Sequence, residues 1–192
     1  MPVTTITLIE GYDDETKERL MKALGRAVRS VIGAPPDGTT VMINEVSASG
    51  YMRGGELKNP APPPPSAANI VQDYLDAMEA RDLAAAKSYL DGGFTMTFPG
   101  DVTFSTLEEL IDWATPRYRW VKKTYERFDE APADDGTAVT CFGSLRGDWP
   151  DGTTFDDIRF VDWFLVEAGT IKRQRVWNDL AEVAAKRTAK PD

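Results

Sequence analysis

A proline-rich run, KNPAPPPPSA at residues 58–67, limits how this chain of 192 residues can fold. Five of its ten residues are proline, which has no backbone N–H for a helix or for the middle of a sheet. Residues 59–66 are therefore predicted to form an extended polyproline II segment, about 25 Å long, that acts as a spacer between two domains. The alternative is a surface loop inside one domain. The predicted order is a domain at 1–58, the spacer at 59–66, a domain at 67–185 and a tail at 186–192.

Composition excludes several classes of function. Histidine is absent, which removes Ser-His-Asp and Cys-His machinery and histidine-containing zinc sites. A net charge of −9 argues against a nucleic acid partner. We find no membrane-spanning run and no signal peptide, so we expect a cytoplasmic protein without a membrane partner. We also expect no metal and no cofactor. The single cysteine, Cys141, lies among strand-forming residues and is expected to be a buried, inert thiol.

The acidic residues are concentrated in the second predicted domain. Residues 1–58 carry 7 Lys and Arg against 8 Asp and Glu, whereas residues 67–185 carry 12 against 22. We interpret this excess as a solvated surface.

The first predicted domain has the pattern of a β-α-β unit. VTTITLI has strand composition, and apolar residues then recur at spacings of three and four, which predicts a helix capped by Asp13 or Asp14 and ended by Gly33. TTVMINEV predicts a second strand, parallel to the first because a helix connects them. SASGYMRGGEL favours a short hairpin. One helix face and open sheet edges make such a unit marginal alone, so we expect it to oligomerise.

Several features of residues 2–58 occur together. Pro2 heads the first strand, LIEG ends it, the helix stops before GAPP, and a strand ending INEV precedes SGYMRGGEL. In this combination the segment resembles the 4-oxalocrotonate tautomerase family. The resemblance implies a homo-oligomer (a dimer, a trimer of dimers or a hexamer), a small carbonyl or enol substrate, and Pro2 as the catalytic residue.

The chemistry of an amino-terminal proline fits that role. If Met1 is removed, Pro2 has a free secondary amine, and α-amino groups titrate near a pKa of about 7.7 to 8.0. Such a group can take a proton from carbon or from an enol oxygen and return it elsewhere. If Met1 stays, the Pro2 nitrogen is an amide and neither step is possible. The alternative is that proline follows the initiator methionine by chance.

Other positions depart from the family pattern. The family binds dicarboxylates with two arginines, and the matching positions here are Tyr12 and Thr40. Each arginine–carboxylate contact contributes about 1.5 to 3 kcal/mol, so we expect a substrate other than a typical dicarboxylate. Tyr51 matches the aromatic residue that closes the family's pocket. Arg53 lies two residues further on the same side and is either a substrate-binding cation or a solvated surface arginine.

The second predicted domain places helices first and long strands after, an α+β order. Asp82 caps a short helix, and Thr106 with Glu109 has capping-box spacing for another, which Pro116 kinks or interrupts. The stretches YLDAMEARDLAAAKSYLDGGFTMTFPG and RFVDWFLVEAGTIKRQRVWND, in this order, resemble SnoaL-like members of the nuclear-transport-factor cone fold. The resemblance implies a curved antiparallel sheet around a pocket. Its members include isomerases, dehydratases, polyketide cyclases and proteins without known catalysis, so the fold does not settle the activity.

Asp162 is the main candidate in that pocket. By period-two alternation it shares a strand face with Ile158, Phe160, Phe164 and Val166. Desolvation on an apolar face would raise its pKa and suit it to proton transfer. The alternative is a structural ion pair with Arg159, Arg146 or Arg175.

Three aromatic residues, Tyr74, Trp113 and Trp177, are further pocket candidates, with ordinary core packing as the alternative. The sequence thus predicts an isomerase, a keto–enol tautomerase that depends on Pro2. The alternatives are a cyclase, dehydratase or isomerase that acts through Asp162, and a non-catalytic fusion that binds ligands.

Overall fold

The computed structural model describes residues 1–188. The chain forms two compact units, the first covering Met1–Pro63 and the second beginning at Pro64. Of the tail expected at 186–192, residues 189–192 lie outside the described residues. Within residues 1–188, no helix is both long and apolar enough to cross a membrane.

The first unit is a β-α-β unit followed by a small hairpin. Its elements are β1 (Val3–Ile9), α1 (Asp14–Ile32), β2 (Thr40–Val46), β3 (Met52–Arg53) and β4 (Glu56–Leu57). Strands β1 and β2 are parallel and in continuous register from Val3 opposite Thr40 to Ile9 opposite Val46, which confirms the predicted pairing.

Capping residues set the ends of α1. The Asp13 carboxylate accepts the backbone N–H of Thr16 at 2.7 Å, which satisfies one of the free donors at the helix start. At the other end, Gly33 has a φ of 71°, and its N–H donates to the carbonyl oxygen of Arg29 at 3.0 Å. This left-handed position favours glycine, and the two caps fix the direction in which the chain enters β2.

The first unit leaves much of its apolar surface uncovered in a single chain. None of residues 1–66, all of which the structure describes, is buried. Val3 is 60% exposed and Leu57 is also 60% exposed. One helix on a two-stranded sheet cannot enclose a core, so the apolar side chains of this unit remain open to a further surface.

The second unit combines helices with one large sheet, which confirms the α+β class. Its elements are α2 (Ala67–Glu79), α3 (Leu83–Ser88), β5 (Leu90–Phe98), β6 (Val102–Phe104), α4 (Leu107–Ala114), β7 (Trp120–Ala133), β8 (Gly136–Asp148), β9 (Thr154–Glu167), β10 (Thr170–Asn178) and α5 (Leu180–Thr188). The sheet has the order β6-β5-β10-β9-β8-β7. Its pairs are antiparallel, except that β10 lies parallel to β5. Neither β6 nor α5 was expected from the sequence.

Helix α2 packs against the face of the sheet that carries most of the buried side chains, here called the inner face. Tyr74 of α2 contacts Phe164 of β9 edge to face, with ring centroids 6.1 Å apart. The Tyr74 hydroxyl donates to Oε1 of Gln174 at 3.2 Å, so a buried polar pair is satisfied. These contacts attach the helix to the middle of the sheet.

The predicted caps of the second unit are also present. Asp82 accepts the N–H of Ala85 at 3.0 Å at the start of α3. Thr106 and Glu109 form the capping box of α4, which ends at Ala114 before reaching Pro116. Pro116 therefore lies beyond the helix rather than kinking it.

Candidate functional site

Pro2 lies at the start of β1, beside the first residue of β2. Its carbonyl oxygen accepts the backbone N–H of Thr40 at 3.1 Å. Pro2 is half-buried, whereas Met1 is 92% exposed. The hydrogen bond thus holds the amino end of the strand while the preceding methionine extends into solvent.

Tyr12 lies beyond the opposite end of the same strand. Strand β1 is seven residues long, which at ~3.3 Å per residue separates Pro2 from Tyr12 by more than about 20 Å. Of the two positions where the family has arginine, a single chain therefore brings only Thr40 close to Pro2.

Tyr51 and Arg53 lie at the hairpin of β3 and β4. The Tyr51 carbonyl oxygen accepts the N–H of Lys58 at 3.3 Å, which closes the hairpin behind it. Tyr51 is half-buried, and Arg53 is exposed opposite Glu56.

The second unit contains a cavity of about 420 Å³ between its helices and β7. Its apolar wall includes Leu75 of α2, Phe98 of β5 and Leu110 of α4. Lys123 and Tyr125 enter it from β7. They lie on one strand face because residues two apart share a face.

Asp162 lies in the inner face of β9 with a completely buried side chain. One carboxylate oxygen, Oδ2, accepts a hydrogen bond from the Lys123 ammonium. Within the described part of the chain, the other oxygen, Oδ1, is buried and has no hydrogen-bond donor. Lys123 also stands 4.6 Å from the centre of the Phe160 ring. The lysine therefore separates the buried carboxylate from the cavity that the lysine itself lines.

Asp162 forms a structural ion pair, as the alternative interpretation expected, but its partner is Lys123 and not Arg159, Arg146 or Arg175. Arg159 lies on the other face of β9, where Nη2 contacts Asp179 at 2.7 Å. Arg175 has its guanidinium 5.9 Å from the Trp163 ring, and Arg146 is exposed. Odd and even positions of a strand point to opposite faces, so Arg159 and Asp162 lie on opposite faces of β9. The cation that reaches Asp162 is instead Lys123 on β7, two strands away in the sheet.

Burial and the Asp162 charge govern protonation in this region. Burial raises the pKa of the Asp162 carboxyl, and the Lys123 ammonium opposes that rise. Burial, helped by the negative charge of Asp162, also raises the pKa of the Tyr125 hydroxyl. The same two causes raise the pKa of Cys141 to about 12. Tyr125 thus remains a hydrogen-bond donor at neutral pH, and Cys141 is the buried, unreactive thiol that was expected.

The three aromatic candidates are distributed over different parts of the second unit. Tyr74 is buried, and burial and the charge of Asp162 raise its pKa. Trp113 packs on Phe98 at a centroid distance of 5.4 Å. Trp177 is 52% exposed, on the strand face opposite Gln174. Tyr74 is thus near Asp162, whereas Trp113 and Trp177 are elsewhere in the unit, and none of the three lines the cavity. Lys123 and Tyr125 line the cavity but were not predicted. The sequence signal for them is the alternation of VKKTY in β7, which places both residues on one strand face.

Solved structures resemble the second unit. The chain superimposes on an NTF2-like protein of unknown function from Burkholderia pseudomallei with a TM-score of 0.54 and 19% identity, covering 63% of this chain and 96% of that one. A protein described as a "putative SnoaL-like polyketide cyclase" from Jannaschia sp. CCS1 gives a TM-score of 0.52 and 18% identity, covering 70% and 99%. At this level of identity the similarity shows the fold, which is NTF2-like and SnoaL-like.

The first unit matches a family by sequence. Residues 2–60 match the family model described as tautomerase enzyme. A "probable tautomerase" of Ralstonia nicotianae is 38% identical over 65 residues, which is 34% of this chain and 93% of that protein. The 2-hydroxymuconate tautomerase of Pseudomonas putida is 35% identical over 57 residues, 30% of this chain and 90% of that protein. The chain therefore belongs to the tautomerase family, with its family domain at residues 2–60 and an NTF2-like unit after it.

Proposed function

We propose that the first unit catalyses keto–enol tautomerisation of a small carbonyl compound, with the amine of Pro2 as general acid and base after removal of Met1. Family membership supports an isomerase of the tautomerase type. The observation that carries the mechanism is the position of Pro2, half-buried at the start of β1 with its carbonyl held by Thr40.

The proposed step uses one group twice. A neutral secondary amine accepts the proton of an enol oxygen or of an acidic carbon, and the resulting ammonium returns a proton at the other position. An α-amino group with a pKa of about 7.7 to 8.0 is partly neutral at physiological pH, so both protonation states are available. The hydrogen bond from Thr40 fixes the residue from which this amine projects.

The proposed substrate carries no more than one carboxylate. The Pseudomonas putida relative is named for 2-hydroxymuconate, which is a dicarboxylate. In the present chain the positions matching the family's two arginines are Tyr12 and Thr40, which carry no charge. Arg53 offers one cation for a monoanionic substrate, and Tyr51 offers a hydroxyl beside it.

The proposed site is completed by assembly. Pro2 and Tyr12 lie at opposite ends of β1, so a pocket that contains both needs Tyr12 from a second copy. None of residues 1–66 is buried in the single chain, although the structure describes all of them. A closed homo-oligomer would cover this apolar surface and supply the second half of each site.

Ketonisation of phenylenolpyruvate tests the proposal, because this enol carries a single carboxylate. The intact mass of the same preparation should show that Met1 has been removed. Activity should disappear when the amino terminus is acylated. A retained Met1 in an active preparation would exclude Pro2 as the base.

A second candidate function places catalysis in the NTF2-like unit, as a cyclase, dehydratase or isomerase that acts through Asp162. The cavity of about 420 Å³ beside the Lys123–Asp162 pair supports this candidate. Its weakness is that the Lys123 ammonium stabilises the charged form of Asp162 and so makes this carboxylate a weaker base. Activity that survives Pro2→Ala and is lost in Asp162→Asn would favour it over the tautomerase site. A non-catalytic fusion would show no activity in either unit.

A further inference from the structure

We propose that the cavity of the NTF2-like unit is a separate binding site for a small organic anion, a carboxylate on an apolar body, and that Lys123 is its anchor. This site is independent of Pro2. Asp162, which the sequence suggests as a catalytic base, here holds the lysine in place.

The charge lining the cavity favours an anion. Its charged lining residues are Glu79, Arg81, Arg119 and Lys123. The single carboxylate among them, Glu79, is paired with Lys122 at 3.1 Å. Lys123 is likewise paired with Asp162, so the excess of positive charge at the cavity comes from Arg81 and Arg119, in a unit where residues 67–185 carry 22 acidic residues against 12 basic ones. A local field opposite in sign to that of the surrounding surface is selective for the charge of the ligand.

Lys123 has hydrogen-bonding capacity left for a ligand. An ammonium has three N–H donors, and the bond to Asp162 uses one of them. The side chain is 21% exposed, whereas that of Asp162 is fully buried. The ligand thus reaches the ammonium and not the carboxylate behind it.

The surroundings of Lys123 strengthen a contact with an oxyanion. Tyr125 lines the same cavity, and its raised pKa keeps the hydroxyl protonated as a second donor. Apolar side chains, including Leu75, Phe98 and Leu110, form the wall that would receive the ligand's body. A charge-assisted hydrogen bond in such a partly dry site is stronger than the same bond on the surface.

The size of the cavity sets the class of ligand. Its volume of about 420 Å³ lies within the range of sites for small molecules, roughly 300 to 1,000 Å³. A single aromatic or branched aliphatic carboxylate fits this volume.

Binding of trans-cinnamate to the full-length chain tests the proposal, with trans-cinnamide as the uncharged analogue of the same shape. Calorimetry should show that cinnamate binds the wild type at least about tenfold more tightly than cinnamide. This preference should persist in Pro2→Ala, which separates the site from the tautomerase site. It should also persist in Asp162→Asn, because the amide oxygen still accepts a hydrogen bond from Lys123.

The informative variant is the double change Lys123→Met with Asp162→Asn, which removes the cation without leaving a buried carboxylate unpaired. We expect it to lose the preference for cinnamate, while cinnamide binding changes little. The matched control is Lys172→Met, since Lys172 also lies on a strand and pairs with Asp91 at 2.8 Å but does not line the cavity.

Three results would overturn the proposal. One is equal affinity for cinnamate and cinnamide in the wild type. Another is a preference for cinnamate that the double variant retains. The third is the absence of saturable binding at millimolar cinnamate. If Pro2→Ala abolishes ketonisation and leaves cinnamate binding intact, both the tautomerase and the second site are supported.

Discussion

Replacing Lys123 by methionine should destabilise the NTF2-like unit severely, because it leaves the Asp162 carboxylate buried without its cation. The Asp162 side chain is 0% exposed and that of Lys123 is 21% exposed. Breaking a buried pair by removing one partner costs about 3 to 5 kcal/mol. A domain of this kind has a free energy of unfolding of roughly 5 to 15 kcal/mol, so the change removes a large fraction of it.

Related variants separate the charge effect from lost packing. Asp162→Asn should lower the free energy of unfolding by about 1 to 3 kcal/mol, because Lys123 then donates to a neutral amide oxygen instead of a carboxylate. Lys123 still reaches the cavity in this variant. The double variant, Lys123→Met with Asp162→Asn, should be more stable than Lys123→Met alone, since it contains no buried charge. Lys172→Met removes a more exposed pair with Asp91, 31% and 29% exposed, and should cost less than about 1 kcal/mol.

The loss of stability in Lys123→Met should be larger at neutral pH than at acidic pH. Burial raises the pKa of Asp162, and Lys123 opposes the rise. Without Lys123 the folded state holds a proton on Asp162 more tightly than the unfolded state does, so protonation relieves the buried charge. The difference from the wild type should therefore be larger near neutral pH than at acidic pH. It should shrink as the pH falls toward the ordinary pKa of aspartate, about 3.9.

Tryptophan fluorescence during urea unfolding measures these quantities for the second unit alone. All 5 tryptophans of the chain lie between residues 113 and 177, so the first unit does not contribute to the signal. Two results would refute the reasoning. One is that Lys123→Met is no more destabilised than Lys172→Met; the other is a destabilisation that is the same at acidic and neutral pH.

Three further predictions concern a close backbone approach, the tautomerase site and assembly. Gly143→Ala should destabilise the second unit by more than about 2 kcal/mol in urea unfolding, because the added Cβ would lie 1.9 Å from the carbonyl oxygen of Thr124. Gly92→Ala, whose Cβ meets nothing within 4 Å, is its control and should change stability little. Arg53→Met should raise KM for phenylenolpyruvate about tenfold with kcat little changed, whereas an unchanged KM would assign Arg53 to the solvated surface. The full-length chain should sediment as a closed oligomer, since none of the described residues 1–66 is buried in one chain, and a monomer at micromolar concentration would contradict this.

Local signals in the sequence predicted the elements around both sites. Asp13 and Thr106 cap α1 and α4 as expected, because a cap depends on residues only three positions apart. The parallel pairing of β1 with β2 also followed from the sequence, since a helix of that length leaves no room for a hairpin. Helix α5 was missed because its apolar residues give only a weak helical period. The three-residue strand β6 was missed because it is short.

The contacts of the second site depended on long-range pairing that the sequence did not reveal. Lys123 and Asp162 are 39 positions apart, and β8 lies between their strands in the sheet. Arg159 was a natural expectation from its proximity in sequence, but strand alternation places it on the opposite face of β9. Alternation showed that Asp162 faces an apolar row. The register places Lys123 level with Ile158 rather than with Asp162, so only the folded structure shows that this lysine reaches the carboxylate.

The most direct test of the central claim is kcat/KM for phenylenolpyruvate ketonisation in the wild type and in Pro2→Ala. Intact mass must show that both preparations have lost Met1. The alanine that then begins the variant has a primary amine whose orientation no ring fixes, so the variant loses the positioned secondary amine on which the proposed proton transfer depends. We predict a decrease of at least about a hundredfold in Pro2→Ala, in the range of general acid–base contributions. Equal kcat/KM values in the two proteins would contradict the assignment of Pro2 as the catalytic base.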